Sequence, residues 1–386
     1  MTTTTPTATV TTTATATELI ELSGTTLVAP RPGGPLPLSF AATVNRALVH
    51  RDALSEVFVT DLREAGDLEY AAAAQLPRSH AYYGDHLLRP GTYDPVLLLE
   101  VARQVTLAGA HEFYDVPANH KFILTFLRIH LLRPQLLTIG DSPLNISLRV
   151  KVTDRKVRNG SVTGLDHTIE LLADGTLIGW AGVGLRFRDP QGYRDLRLTN
   201  RSGAPLPTTA ALPPQSVETG GRLALPVAPH LVGRADPKNV VLLEPTAAED
   251  ATRASLRIPA EHPSLFDHPQ DHLPGMVLAE GARQLALFTA LDSKGLSTAK
   301  TFPVAIEVTF SKFGELEAET VLSATVGEER ATGQDEEQVY YTLGGTVDFG
   351  EDAERSVVTQ LPVQVDVRQN DESIAKFTIG LARVAG

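Results

Sequence analysis

The sequence predicts an α+β fold built in duplicate, in which each half of the chain wraps a curved antiparallel sheet around one long central helix. Three observations predict it: an internal repeat, one long apolar helical segment in each repeat, and runs of strand character after each helix. With 386 residues, the chain is also long enough for two domains that each have their own core.

The internal repeat consists of three pairs of matching segments that keep their order along the chain. The pairs are LVHR at 48–51 with LVGR at 231–234, DH at 85–86 with DH at 267–268, and PVLLLEVARQ at 95–104 with GMVLAEGARQ at 275–284. The partners are separated by 183, 182 and 180 residues, respectively. Three matches in one register indicate that the chain contains the same supersecondary unit twice.

A long helix is predicted in each repeat, from Pro95 to Phe113 and from Gly275 to Leu291. Proline is tolerated in the first turn of a helix, and Asp94 is a suitable N-cap for the first one. Both segments are apolar on most faces. Each helix is therefore expected to be enclosed by protein rather than to lie on a surface.

Strand-like segments surround both helices. Short extended runs precede them at residues 56–61 and 239–244, and longer runs follow at residues 122–132, 145–152, 167–172, 176–187, 301–313, 319–326, 338–349 and 357–367. Asp174 and Gly175 form a strong two-residue hairpin signal. One buried helix followed by an antiparallel meander is typical of the hot-dog fold, so we predict a tandem double hot-dog.

This pattern divides the chain into four regions. Residues 1–20 form a Thr-rich tail that is predicted to be disordered, because too little apolar surface can be buried there. Residues 21–189 are predicted to be the N-terminal hot-dog, and residues 230–386 the C-terminal hot-dog. Residues 190–229, which are rich in Pro, Thr, Ala and Gly, are predicted to be the linker between them.

The composition argues against several classes of function. A net charge of −12 disfavours nucleic acid as a partner, because phosphate binding needs a basic surface. The absence of cysteine excludes disulfides and thiolate metal sites, and it fits a cytoplasmic location. No apolar run approaches the roughly 20 residues that span a bilayer, so no membrane partner is expected. No Walker loop, dinucleotide fingerprint, serine elbow or helical His pair occurs, so no cofactor or metal is expected.

Each predicted helix carries an acid, an arginine and a glutamine on one face. With the i, i+3 and i+4 spacing of neighbours on a helix, these are Glu100, Arg103 and Gln104, and then Glu280, Arg283 and Gln284. A polar stripe on a surface helix would show the same spacing. These helices are otherwise apolar, and buried charges are costly unless they are paired. Both triplets are therefore predicted to be parts of functional sites.

Two loop histidines precede the helices and are candidates for proton transfer. His86 lies fourteen residues before Glu100, and His268 lies twelve residues before Glu280. This spacing can bring an imidazole and a carboxylate together across the boundary between the two halves. His272 is an alternative to His268 in the second repeat.

Five basic side chains stand on or beside predicted strands, namely His50, Arg51, Lys121, Arg128 and Lys312. Most are expected to be surface charges, but a phosphorylated substrate would need one or two of them to face inward, and Arg51, Lys121 and Lys312 are the candidates. A separate group of arginines lies near the end of the first half, at Arg186, Arg188, Arg194, Arg197 and Arg201. We interpret this group as solvated surface. The alternative is a docking patch for an acidic carrier protein.

The motifs resemble those of the hydroxyacyl-carrier-protein dehydratases, through GDH at 84–86, DPVLLLE at 94–100 and ARQ at 102–104. They are more similar to a narrower family, the AfsA-type γ-butyrolactone synthases of actinomycetes, which make signalling molecules such as A-factor. This second resemblance is carried by VHR at 49–51, SEVFVTD at 55–61 and the two E-x-A-R-Q helices. It extends from Leu48 to the C-terminus.

The resemblance implies an acyltransferase that moves a β-ketoacyl group from an acyl-carrier-protein thioester to the hydroxyl of dihydroxyacetone phosphate. An intramolecular condensation would then give a phosphorylated butenolide, the precursor of γ-butyrolactone signals. The resemblance also implies catalytic roles for Glu280 and Arg283. By the internal repeat, the same roles extend to Glu100 and Arg103.

A mechanism can be outlined from these residues. We hypothesise that Glu280 is the base for the attacking hydroxyl, with a pKa raised by partial burial. Backbone N–H groups near Gly275 would stabilise the thioester oxyanion. Arg283 would bind the phosphate or the keto oxygen, and Gln284, like Gln104 in the first repeat, would orient one of these groups.

Two other functions remain open at this point. One is a hot-dog dehydratase or thioesterase that acts on acyl-carrier substrates. The other is a regulator that binds a butyrolactone without turnover, although the duplicated acid–arginine pair is unfavourable for a neutral lipid pocket. The sequence also leaves open the acyl chain length, which of the two sites is active, and whether the chain forms a homodimer.

Overall fold

The computed structural model describes residues 37–212, 218–219, 222–248, 250–331 and 359–383. The predicted Thr-rich tail and the predicted strand at 338–349 lie outside these residues. Within the unit Leu38–Gly386, the two halves of the chain share one antiparallel sheet.

The elements follow one another in the order that the repeat predicts, with strands far more numerous than helices. The strands are β1 Val59–Gly66, β2 Glu69–Leu76, β3 Lys121–Leu131, β4 Leu144–Arg158, β5 Ser161–Ala173, β6 Thr176–Arg188, β7 Glu218–Thr219, β8 Arg222–Leu223, β9 Leu242–Ala247, β10 Thr252–Leu256, β11 Thr301–Phe310, β12 Val321–Val326, β13 Arg330–Ala331, β14 Thr359–Gln369 and β15 Glu372–Arg383. The helices are α1 Pro95–Phe113, α2 Pro190–Asn200 and α3 Gly275–Lys294, with short 3-10 helices at Arg46–Val49, Leu54–Glu56, Pro134–Leu137, Thr209–Ala211, Pro229–Val232 and Pro237–Asn239.

The main sheet is continuous across the two halves. Its strand order is β1-β2-β4-β5-β6-β3-β11-β15-β14-β12-β10-β9, and β13 pairs with β14. The order on one side of the β3–β11 seam mirrors the order on the other side, and Ile129 pairs with Ile306 at the seam. This duplication around one seam confirms the predicted tandem double hot-dog. The Asp174-Gly175 hairpin is also confirmed, because both residues have the positive φ that its turn requires.

Helices α1 and α3 pack against the sheet and are buried along most of their length. As predicted, Asp94 caps α1, since its Oδ1 accepts a hydrogen bond of 2.8 Å from the Val96 N–H. Helix α3 begins after Pro274 without a side-chain cap and ends at Gly295, which has a positive φ of 65°. No described helix is both long and apolar enough to cross a bilayer.

The extended run predicted at residues 56–61 begins later than expected. Residues Leu54–Glu56 form a 3-10 helix, and β1 starts only at Val59. The reason lies in α1, because the side chain of Gln104 donates to the Glu56 carbonyl and accepts from the Phe58 N–H. Backbone groups that a neighbouring strand would have bonded are therefore bound to the helix.

The segment predicted as a linker begins with the regular helix α2. Asp189 supplies its N-cap and Pro190 its first residue, which is a favourable start for a helix. Arg197 of α2 is fully buried, ion-pairs with Glu315 at 2.6 Å, and lies over the ring of Phe313. Helix α2 is thus fastened to the second half of the molecule.

These contacts also change the interpretation of the five arginines. Arg197 and Arg201 both pair with Glu315, and Arg186 pairs with Asp166 at 2.6 Å. The description of the whole group as solvated surface is wrong for Arg197. The charge of three members is balanced within the protein, which also leaves less positive charge for a carrier-docking patch.

Candidate active site

The second acid–arginine cluster consists of Glu280, Arg283, Gln284, Arg234 and Tyr82. Oε1 of Glu280 accepts hydrogen bonds from Arg283 Nη2 at 2.6 Å and from Arg234 Nε at 3.0 Å. Gln284 Nε2 donates to the same oxygen at 2.5 Å, and the Tyr82 hydroxyl donates to Oε2 at 2.8 Å. The Glu280 side chain is 0% exposed, so its charge is balanced by protein groups alone.

The first cluster repeats this arrangement with Glu100, Arg103, Gln104 and Arg51. Arg103 contacts the Glu100 carboxylate through Nε at 2.7 Å and Nη2 at 2.8 Å. Arg51 Nη2 lies 2.6 Å from Glu100 Oε1, and Gln104 Nε2 donates to that oxygen at 2.8 Å. Both predicted triplets are therefore buried, hydrogen-bonded clusters and not solvated stripes.

Three members of these clusters differ from the sequence-based expectations. Arg51, which was predicted to bind substrate, is committed to Glu100 instead. Arg234 was not predicted, although the LVHR and LVGR matches place it at the position equivalent to Arg51. Tyr82 was also missed, and no motif marks it, because its contact with Glu280 crosses from one half to the other.

The charges around the two glutamates contradict the prediction that Glu280 is a base with a raised pKa. Burial alone would raise the pKa of Glu280, but Arg234 and Arg283 outweigh it and lower this pKa to about 2. The pKa of Glu100 is likewise lowered to about 2, because Arg103 and Arg51 outweigh burial. The expectation of a raised pKa was wrong, since it did not include a second arginine for each acid. A carboxylate with such a low pKa is a poor proton acceptor near neutral pH. Its negative charge instead holds the two arginines in position.

Each glutamine connects the acid of its own cluster to a loop that precedes a strand, which is β9 for Gln284 and β1 for Gln104. Gln284 Nε2 donates to the Asn239 carbonyl at 2.7 Å, and its Oε1 accepts from the Val241 N–H at 2.9 Å. Gln104 makes the same two contacts with Glu56 and Phe58. Because both glutamines are buried and saturated, they brace the clusters and have no free donor for a substrate.

The aspartates of the two DH motifs fasten each half to the loop of the other. Asp85 accepts hydrogen bonds from the Ala235 and Asp236 N–H groups at 3.0 and 3.1 Å, directly after Arg234. Asp267 accepts from the Ala53 N–H at 3.0 Å, two residues after Arg51. These exchanged contacts hold the second arginine of each cluster in place.

A cleft lies beside the second cluster, and we call it the Arg283 cleft. It is lined by His86, Leu88, Asp94, Pro95, Gly233, Arg283, Leu287, Thr298, Thr301, Phe302 and Pro303. Neither ring nitrogen of His86 makes a hydrogen bond of normal geometry within the described part of the chain, and Asp94 Oδ2 has no such partner either. Arg283 Nη1 lies 3.9 Å from this oxygen. Unsatisfied buried polar atoms are unusual and indicate a place where a ligand can bind.

The cleft brings together two of the predicted residues from opposite halves. His86 comes from the loop of the first half and Arg283 from the helix of the second, whereas the spacing of the motifs predicted a helix glutamate as the partner of the histidine. Gly275, in contrast, is not among the residues that line it. The helix start at this cleft is Asp94–Pro95, where proline has no N–H and Asp94 caps Val96. The predicted oxyanion donors near Gly275 are therefore not at the Arg283 cleft.

Asp94 was predicted only as a helix cap, but its second carboxylate oxygen also lies close to Arg283 in the cleft. Burial lowers the pKa of His86, and the Asp94 carboxylate acts in the opposite direction. Asp94→Asn keeps a capping side chain but removes this charge. The pKa of His86 is then expected to fall further, so that the imidazole stays neutral to lower pH.

The midpoint of the His86 ring signals in an NMR titration measures this change. If the neutral His86 ring accepts a proton during turnover, the acid limb of the turnover profile should move to lower pH with it. Asp94→Ala removes the cap as well, so comparing the two variants separates the loss of charge from the loss of helix stability. An unchanged His86 midpoint in Asp94→Asn would show that the two groups do not interact.

The remaining predicted residues lie elsewhere. His268 contacts Asp267 and Gln270 and keeps 33% of its side chain exposed. His272 pairs with Asp271 at 2.6 Å and packs against Phe313, beside α2. Lys312 forms an exposed pair with Glu372. These contacts place His272 beside α2 and Lys312 at the surface, and their role in substrate binding stays a prediction.

Metal binding has no structural support in the described residues. They contain no group of three or more His, Asp or Glu side chains arranged to hold a metal ion.

Comparison with known proteins places this geometry in a family. Residues 35–187 and 218–344 match the family model described as the A-factor biosynthesis hotdog domain. Two relatives named 2-oxo-3-(phosphooxy)propyl 3-oxoalkanoate synthase are similar over most of their length. The protein from Streptomyces virginiae is 34% identical over 79% of this chain and 98% of its own. The protein from Streptomyces griseus subsp. griseus is 31% identical over 83% of this chain and 93% of its own.

A solved structure is also similar at the level of the fold. It is the pyran synthase domain from module nine of the sorangicin pathway, with a TM-score of 0.46 and 15% sequence identity. The similarity covers 85% of this chain and 98% of that domain.

Proposed function

Because the chain belongs to the A-factor biosynthesis hotdog-domain family, we propose that it is an acyltransferase that joins a 3-oxoacyl group to the hydroxyl of dihydroxyacetone phosphate. The product is 2-oxo-3-(phosphooxy)propyl 3-oxoalkanoate, the compound that names its relatives. The observation that carries the proposal is the Arg283 cleft. It combines an imidazole with buried ring nitrogens, which interacts only weakly with the Thr92 backbone, with a guanidinium held by Glu280 at the boundary between the halves.

His86 is the proposed proton acceptor in this reaction. Burial lowers its pKa, so the ring is neutral and has a free lone pair at neutral pH. It takes the proton of the acceptor hydroxyl as the oxygen attacks the thioester carbonyl carbon. The C–S bond then breaks, and the proton passes from His86 to the leaving thiolate.

Arg283 is the proposed anchor for the phosphate. Its Nε and Nη2 are held by Glu280, while Nη1 is directed toward Asp94 and the cleft. An arginine fixed in this way is pre-organised for a phosphate oxygen. Glu280, with Arg234, Gln284 and Tyr82 around it, positions the guanidinium and does not contact the substrate. We assign the reaction to the second cluster. We assign no step to the first cluster, to Lys121 or to His268.

Two finer statements belong to the same proposal. The acyl donor is proposed to be an acyl-carrier-protein thioester. The ester product is then proposed to condense on this protein: the methylene between its two carbonyls loses a proton and attacks the ketone of the three-carbon unit, and water leaves to give a phosphorylated butenolide. Purified ester incubated with and without the protein tests this step. Equal rates of cyclisation would assign it to chemistry outside the protein.

The acyl transfer itself is tested by product mass. The protein is incubated with a 3-oxoacyl carrier-protein thioester, with and without dihydroxyacetone phosphate, and the phosphorylated ester is expected only when both are present. Release of free 3-oxo acid without the acceptor would instead support a thioesterase. Loss of water from a 3-hydroxyacyl thioester would support a dehydratase, and binding of a butyrolactone without any turnover would support a regulator.

The role of His86 is tested with a matched pair of histidine variants. His86→Asn is expected to lower kcat by about 100-fold or more, the usual contribution of a general base. His120→Asn changes a partly exposed histidine outside the cleft, which lies close to Asn119 and Asp189, and it should leave kcat unchanged. Full turnover by His86→Asn would remove this residue from the mechanism.

A further inference from the structure

The first half carries a histidine where the second half has a glycine of the Arg283 cleft. His50 and Gly233 occupy equivalent positions, each directly before the second arginine of its cluster. Both adopt the left-handed conformation, with φ values of 52° and 75°. Glycine takes up this conformation without strain, whereas it is uncommon for a histidine. The first half therefore carries an imidazole side chain at a position where the second half carries none, and where a Cβ would lie 3.1 Å from Leu287 Cδ1.

The ring of His50 packs against the counterpart of a residue that lines the cleft. Its centroid lies 4.7 Å from that of Phe122, in an edge-on arrangement. The repeat aligns Phe122 with Phe302, which lines the Arg283 cleft. The other contact of the ring is with His111, whose counterpart in the second helix is Leu291.

The charged and titratable side chains around His50 also correspond to residues that line the Arg283 cleft. Burial lowers the pKa of His50 to about 3, and Arg103, His111, His268 and Lys121 lower it in the same direction. The repeat aligns three of these four with lining residues of the cleft, namely Arg103 with Arg283, His268 with His86, and Lys121 with Thr301. The neutral ring of His50 is thus surrounded by the counterparts of the cleft wall.

A hydrogen bond of defined direction holds this ring. His111 Nδ1 lies 2.7 Å from the Val116 carbonyl, which can only accept, so this nitrogen carries the proton. With the Nδ1–H tautomer of His111, its Nε2 accepts from His50 Nε2–H at 2.9 Å. Both tautomers are fixed by the backbone of residue 116, and the His50 ring is locked in its position.

The first cluster is not sealed from solvent by this ring. Arg103 keeps 14% of its side chain exposed, compared with 4% for Arg283. The difference between the halves is the side chain beside the arginine, which is an imidazole at His50 and absent at Gly233. A substrate held between the histidine, the arginine and the phenylalanine would collide with this ring in the first half.

We propose that the His50 ring, locked by His111, fills the first-half counterpart of the Arg283 cleft, so that each chain has a single substrate-binding cleft. This inference rests on the proposed function, because it assigns the acyl transfer to one of two duplicated clusters. The filled cleft explains how two acid–arginine helices give one reaction site. The second half keeps the cleft, and the first half keeps only the cluster of side chains that supports its loop.

The repeat itself supplies the test, because the residues of one half can be moved to the other. His50→Gly with His111→Leu gives the first half the second-half residues, and turnover is expected to stay at the wild-type level. Gly233→His with Leu291→His gives the second half the first-half residues, and turnover is expected to fall by about 100-fold or more. Loss of turnover in the first double variant would overturn the proposal and make the histidine pair catalytic.

Equilibrium binding gives a second readout. Calorimetric titration with dihydroxyacetone phosphate, without an acyl donor, is expected to show one site per wild-type chain and two sites in His50→Gly with His111→Leu. Two sites in the wild type would contradict the proposal. One site in a correctly folded double variant, shown by an unchanged unfolding midpoint, would contradict it equally.

A third readout does not depend on the proposed reaction. His50→Gly leaves a hole the size of an imidazole beside His111, which free imidazole can occupy. Imidazole is therefore expected to raise the Tm of this variant and not that of the wild type, because it binds only the folded variant. An equal response of both proteins would show that the ring does not fill a cleft. If the wild type makes no ester but this response is seen, the proposed function fails and the filled cleft stands.

Discussion

Glu280→Gln is expected to lower the free energy of unfolding by about 3–5 kcal/mol, the usual cost of removing one partner from a buried ion pair. The substitution removes the carboxylate partner of Arg234 and leaves Arg283 with the more distant Asp94 carboxylate at 3.9 Å. Denaturant unfolding at neutral pH measures the change. Any loss of turnover in this variant would then reflect a displaced Arg283 and would not identify Glu280 as a base.

The control for this prediction is an ion pair of the same chemistry on the surface. Glu372→Gln removes the partner of Lys312, and both of these side chains are more than half exposed. Its unfolding midpoint is expected to match the wild type, because solvent screens such pairs. If Glu280→Gln were as stable as this control, the second cluster would not hold α3 to its neighbouring loops.

Acidification provides an independent check on the same cluster. Because burial is outweighed by the arginines, the folded-state pKa of Glu280 lies at about 2, below its unfolded value. Its contribution to stability is complete above the unfolded pKa of about 4.3 and is lost as the pH falls toward 2. Glu280→Gln should therefore show a flatter decline of stability in this range than the wild type.

The fold was predictable because its signals are local or repeat at a fixed spacing. Asp94 and Pro95 mark the start of a helix, and the apolar run after them requires burial on all sides. Asp174 and Gly175 mark a hairpin in the same way. The predictions failed where a tertiary contact replaced a local one. The strand expected from residue 56 starts later, because Gln104 binds the backbone before it.

The site was predictable in its residue types and not in its electrostatics. The spacing of Glu280 and Arg283 on one helix face was enough to identify the pair. The direction of the Glu280 pKa depended on Arg234, which lies 46 residues away and is brought close by the exchanged contacts of Asp85. The position of Asp94 in the cleft was missed for a similar reason, because only the fold places its second carboxylate oxygen opposite Arg283.

Arg283→Lys is expected to lower kcat/KM for dihydroxyacetone phosphate by about 100-fold, while the protein stays folded. Lysine keeps a positive charge beside Glu280, so the acid retains a second cation in addition to Arg234. It lacks the fork that contacts Glu280 through two nitrogens and presents Nη1 to the cleft. Misplacing a substrate by about 1 Å through a change away from the reacting atoms can cost about 100-fold in rate, so roughly that loss is expected here.

The matched variant for this experiment is Arg103→Lys, which makes the same substitution at the equivalent position of the first helix. Its loss of contacts to Glu100 is the same, but the space beside it is occupied by His50 and holds no substrate. Steady-state kinetics should therefore show a large loss for Arg283→Lys and only a small one for Arg103→Lys. Equal losses would mean that both clusters bind the phosphorylated substrate, and the assignment of the reaction to the Arg283 cleft would have to be abandoned.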